Sequence, residues 1–126
     1  MKINRVNIIC LGVRDMEKSL AFYKNIGFKT YVKDNNPPIV FFDNQGTKLE
    51  LYSIEGLAKD INAENPPAIP QKGFCGITLA INMKSKKEVN DFMEIVRKYT
   101  NWKKITSGKL FIAISHLTNP LLVNIE

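Results

Sequence analysis

Two stretches of the chain repeat one order of apolar and polar positions. In "VNIICLGV" apolar and β-branched residues follow one another without a helical period, so residues 4–13 predict a strand. Asp15 then offers an N-cap, and Glu17 sits in the first turn, where the helix dipole favours an acid. Met16, Leu20 and Tyr23 share one helical face, and Gly27 follows where a helix ends in positive φ. "FKTYVKD" (28–34) predicts a second strand, and "NNPP" breaks it. "IVFFD" and "TKLELYS" predict two more, joined by the turn "DNQG". The first half thus reads β-α-β-β-β.

The second half returns to that order. "GITLAINM" predicts a strand, and Ser85 with Glu88 three residues on makes a capping box. Val89, Phe92, Met93, Val96 and Tyr99 fall on one face of the helix that follows. "WKKIT", "KLFIAIS" and "LLVNIE" predict three further strands. Superposing the halves lays cap Asp15 over cap Ser85, a shift of 70 residues. At the far end "DNQGTKLE" aligns with the C-terminal residues at a shift of 76, which lays Glu50 over Glu126. Between the halves, "IEGLAKDINAENPPAIPQKG" holds three prolines and one short helical stretch at 55–61. It predicts a connector.

At 126 residues with 44% hydrophobic content, the chain suits a single domain with a proper core. No apolar run is long enough to span a membrane, and the first residues lack the cleavage site of a secretory leader. The two cysteines, Cys10 and Cys75, lie in strand-like apolar surroundings, and no N-x-[ST] acceptor occurs, which points to a reducing, cytoplasmic setting. A net charge of +6 reads either as a solvated basic surface that keeps the protein in solution or as an attraction for an anionic small molecule. The lysines are spread along the chain without a nucleic-acid-binding motif, so nucleic acid is not an expected partner. There is no G-x-S-x-G, no P-loop, no GxGxxG and no recognisable Cys–His pairing.

The phrase "LGVRDMEKSLAFYKNIGFKT", with "KLELYSIEGLAKDI" and "GFCGITLAINMKSKKEVNDFMEIVRK", resembles the vicinal oxygen chelate superfamily. That superfamily includes glyoxalase I, the bleomycin-resistance proteins and the extradiol dioxygenases. The C-terminal third departs from it. Where related members carry a Trp-Gly-Gly-Tyr-like stretch and then Asp-Pro-Asp-Gly, this chain reads "SGKLFIAISHLTNPLLVNIE". The resemblance implies an α+β fold. Two βαβββ modules form a cup-shaped, mostly antiparallel sheet with the helices outside. Module one would span 1–53, the connector 54–73 and module two 74–126, together one domain over 1–126. The resemblance also implies a homodimer, with the modules either paired within a chain or swapped between chains.

Side-chain alternation then sorts the strands. Ile9, Leu11 and Val13 would face the helix, and Ile8, Cys10 and Gly12 the cup. Lys48, Glu50 and Tyr52 would face the cup, as would Thr78, Ala80 and Asn82, and Leu122, Asn124 and Glu126. The expected ligand pocket comprises Ile8, Cys10, Phe41, Glu50, Tyr52, Thr78 and Asn124. Metal-dependent members place one ligand on each of four strands, and the matching positions here are Ile8, Glu50, Thr78 and Glu126. Two carboxylates without an imidazole suit a transition metal poorly, so no cofactor is expected. A hard divalent cation held by Glu50 and Glu126 is the alternative. The single histidine, His116, falls near the C-terminus and reads as a surface or turn residue.

Glu50 is also the candidate catalytic acid or base, or the partner of Lys48 on the same face. Aromatic residues on the predicted strands suit a flat or apolar ligand, with Tyr52 the foremost because it shares the face of Glu50. The expected function is therefore small-molecule binding in the manner of the bleomycin-resistance proteins, without an intrinsic transition metal. The alternative is a metal-dependent lyase, isomerase or dioxygenase with an atypical site on Glu50 and Glu126.

Overall fold

The computed structural model describes residues 1–71, 79–99, 109–112 and 121–125. The chain divides into two compact units, Met1–Gln71 and Lys72–Glu126. In the first, strand β1 (Ile8–Val13) leads into helix α1 (Met16–Asn25). Asp15 caps that helix, its carboxylate accepting from the Lys18 N–H at 3.0 Å. Gly27 stops it at φ 111°, a conformation that favours glycine. Strands β2 (Ile39–Phe41) and β3 (Lys48–Ser53) follow, then helix α2 (Ile54–Ile61). The sheet order is β1-β3-β2, with β1 parallel and β2 antiparallel to β3.

Leu11, Val13, Val40, Leu49 and Leu51 turn one face of this sheet onto Met16, Leu20, Phe22 and Tyr23 of α1, and all are buried. Phe28, Phe42 and Tyr23 close the core as an aromatic triangle, each pair of centroids 5.4 Å apart. α2 packs on the other side of the sheet, against β1 and β3. Gly12 makes that approach possible. A Cβ there would stand 3.1 Å from Ile54 Cγ1 and 3.2 Å from Leu57 Cδ2.

One expected element is absent. Residues 28–34 run beside β2 without joining it as a strand. The Asp43 N–H donates to the Lys29 carbonyl at 2.7 Å, and the Thr30 hydroxyl donates to the Phe41 carbonyl at 2.8 Å. That hydroxyl also accepts from the Val32 N–H. A side chain thus takes the place of the next rung of the ladder. The first strand also starts later than expected, at Ile8 rather than at residue 4.

The second unit repeats the topology. β4 (Leu79–Met83), α3 (Lys86–Tyr99), β5 (Lys109–Ile112) and β6 (Leu121–Ile125) give the sheet order β4-β6-β5, again with one parallel and one antiparallel ladder. Ser85 Oγ accepts from the Glu88 N–H, while the Glu88 carboxylate accepts from the Lys84 N–H, one residue before the expected partner. Phe92, Met93 and Val96 are the buried stripe of α3. The expected strand at 102–106 lies outside the described residues. Among the described residues no helix is long and apolar enough to cross a membrane.

Candidate functional site

The cleft of the first unit is built on the face of its sheet that α1 does not cover. Alternation sends Cys10 of β1 and Lys48, Glu50 and Tyr52 of β3 to that face. Register aligns them in rows across the sheet: Cys10, Glu50 and Phe41 in one, Gly12, Tyr52 and Ile39 in the next. Ser53 ends β3 and caps α2, its hydroxyl accepting from the Gly56 N–H at 3.0 Å. The Tyr52 ring lies so close to Gly56 that a Cβ there would sit 2.8 Å from its Cζ. Strand, cap and helix therefore hold the ring between them.

The result is an open cleft of about 480 Å³. Pro38, Ile39 and Leu57 give it apolar walls, and Tyr52 an aromatic one. Cys10, Glu50 and Asp60 add polar side chains beside the Tyr52 hydroxyl. A smaller groove of about 300 Å³, between α1 and Asn35, has Glu17 and Lys24 of opposite charge and no aromatic wall.

The Cys10 thiol donates to Glu50 Oε1 at 3.6 Å. Burial, then the charge and hydrogen bond of Glu50, then the charge of Asp60 push it up from its ordinary 9.0 to about 11. At neutral pH the thiol therefore bears its proton, which makes it a poor nucleophile. Lys48 does not pair with Glu50, although both share the face. Its ammonium donates to the Asn44 carbonyl and stands 3.8 Å from Asp43 Oδ1, at the turn. The long stem lets the charge leave the strand for the loop.

Of the residues expected at the pocket, the fold brings Cys10, Glu50 and Tyr52 to this cleft. Ile8 and Phe41 share the face but are about half exposed and lie outside the lining. Thr78 lies outside the described residues, and Asn124 is known here by its backbone, paired with Asn82 and Lys109. Sequence reading missed Pro38, Ile39, Leu57 and Asp60. Ile39 carried a signal, since it alternates with Phe41. Leu57 and Asp60 are three apart on one helical face, hidden in what read as a connector.

Of the four expected ligand positions, Ile8 and Glu50 are described, and Thr78 and Glu126 lie outside the described residues. Ile8 has no ligating atom, and Glu50 accepts from the Cys10 thiol. Among the described residues no three His, Cys, Asp or Glu side chains are grouped closely enough to hold a metal ion. Register also revises the repeat. Cys10 lies opposite Glu50, while Ala80, its counterpart at the capped shift of 70, lies opposite Leu122. Leu122 is therefore the counterpart of Glu50, and Glu126 lies outside the described residues.

Comparison with known proteins agrees with this topology. The family model described as Glyoxalase/Bleomycin resistance protein/Dioxygenase superfamily matches residues 2–109. A glyoxalase-related enzyme from Fulvimarina pelagi superposes with a TM-score of 0.76 at 20% identity, covering 98% of this chain and 89% of its own. A glyoxalase/bleomycin resistance protein/dioxygenase family enzyme from Burkholderia phytofirmans PsJN gives 0.72 at 14% identity, covering 97% and 98%. A glyoxalase/bleomycin resistance protein/dioxygenase from Nocardioides gives 0.71 at 16%, covering 100% and 87%. These likenesses are of fold. No curated protein matches the sequence. With the matched family model covering most of its length, the chain belongs to the glyoxalase/bleomycin resistance protein/dioxygenase superfamily.

Proposed function

We propose that the protein binds a small organic molecule in the cleft of its first unit, as a binding protein without an intrinsic transition metal. One observation carries this reading. An open cleft of about 480 Å³ combines apolar walls, an aromatic ring and three polar groups. That size and mixture suit a drug-sized ligand. The chemistry of the polar groups supports binding over covalent catalysis, because Cys10 keeps its proton at neutral pH. Glu50 remains the group best placed to exchange a proton with a bound molecule. A reducing, cytoplasmic setting fits the free thiol of Cys10, and the family resemblance favours a homodimer.

The test is a fragment screen read by amide chemical shifts. Fragments that bind should move Cys10, Ile39, Glu50, Tyr52 and Leu57 together. Binders whose shifts map elsewhere, with these five unmoved, contradict the reading.

A further inference from the structure

We infer that the ligand of the cleft is a cation: a protonated amine, amidine or guanidine on a flat or apolar body. This rests on the reading of the cleft as a small-molecule site. The chain carries +6 overall, yet the ionisable side chains among the described residues lining the cleft are Glu50, Asp60, Tyr52 and the protonated Cys10. Among the described residues, no lysine, arginine or histidine lines the cleft. Two cations of the first unit are engaged elsewhere. Lys48 is held at the turn by Asn44 and Asp43, and the Arg14 guanidinium donates to the Pro70 carbonyl. An anion entering the cleft would meet two carboxylates and no counter-charge from the lining.

The geometry serves a cation well. Cys10 takes Glu50 Oε1, and no described residue donates to the second oxygen of that carboxylate. A bound N–H could take that position, in a charge-assisted hydrogen bond. Asp60 of α2 approaches from another element and adds to the same field, which is also felt at the Cys10 sulfur. Tyr52 adds an aromatic ring to the lining, a group that attracts a cation or stacks on a flat body. Pro38, Ile39 and Leu57 cover the apolar part. The anionic partner suggested by net charge therefore suits the outer surface better than this lining.

Three probes of nearly the same shape separate charge from fit: benzamidine, benzamide and benzoate. Each is titrated into the full chain and followed by the amide shifts of Cys10, Ile39, Glu50, Tyr52 and Leu57. Benzamidine should bind at least about tenfold tighter than the other two, the scale of one charge-assisted hydrogen bond. It should weaken as salt is raised. Glu50→Gln should cost about tenfold. Asp60→Asn, at an exposed helical position, should cost a smaller factor without threatening the fold. If benzamide or benzoate binds as tightly at the same residues, the cationic assignment is overturned while the cleft stands as a small-molecule site. If none of the three moves those residues, the cationic assignment falls, and the fragment screen decides the cleft separately.

Discussion

Replacing Gly12 with alanine probes how the cleft is made. Gly12 is buried in β1, opposite Tyr52, under the first turn of α2. The added methyl would meet Ile54 Cγ1 at 3.1 Å, Leu57 Cδ2 at 3.2 Å and Ile54 Cα at 3.3 Å. Two of these neighbours are side-chain atoms that can turn aside by a few tenths of an ångström. The third is backbone, so α2 itself must lift. Overpacking of this kind costs about 1–2 kcal/mol. For a domain of this size that lowers the melting temperature by roughly 3–8 °C. Because Leu57 is also a wall of the cleft, the same lift should displace the Leu57 and Asp60 amides and weaken benzamidine binding. Thermal unfolding by circular dichroism and an amide-shift map check both effects. A variant that melts within 1 °C of the parent, with the α2 amides unmoved, would refute the close seating of α2 on Gly12.

Cys10 should alkylate slowly. At pH 8 a thiol at about 11 is about 0.1% thiolate, against about 9% for one at the ordinary 9.0. Iodoacetamide rates followed by peptide mapping should therefore be about 100-fold below those of the unfolded chain and rise several-fold in Glu50→Gln, since burial, the larger cause, remains. The same shift has a sign for stability. Between pH 9 and about 11 the unfolded chain releases this proton and the folded one keeps it, so the contribution of Cys10 is lost as pH rises through that window. Asp15→Ala, which removes the cap accepting from the Lys18 N–H, should cost about 1 kcal/mol in urea unfolding. Phe28→Ala should cost about 2 kcal/mol, below the range for a fully buried phenylalanine, and should free the Lys29–Asp43 bond to faster amide exchange.

Much of the site follows from period-two alternation. Once β1 and β3 are read as strands, Cys10, Glu50 and Tyr52 must share a face, and Leu11, Val13, Leu49 and Leu51 must share the other. The helix starts were equally legible, because Asp15 and Ser85 act on backbone within three residues of themselves. What was not legible depends on partners distant in sequence. "FKTYVKD" has the residues of a strand, but Thr30 takes a carbonyl with its hydroxyl and Phe28 anchors the segment by its ring. No local pattern reports that a neighbour will be met by a side chain instead of a ladder. α2 was visible as a short helix in a connector. Its seat on the sheet depends on the missing side chain of Gly12, and Asp60 reaches the cleft only because of that seat. The repeat was legible as element order. Its register was not, because the shift between strands is set by pairing rather than by matching glutamates.

The most direct test of the small-molecule cleft is to fill it from within. Leu57→Trp puts an indole into the cleft from a half-buried helical position. Fragments that bind the parent, confirmed by their amide shifts, are titrated against this variant after its melting curve shows it folded. Loss of binding by at least tenfold, for fragments of different scaffold, is the predicted result. Undiminished binding to the folded variant would contradict the claim that the cleft formed by β1, β2, β3 and α2 is where this protein takes its ligand.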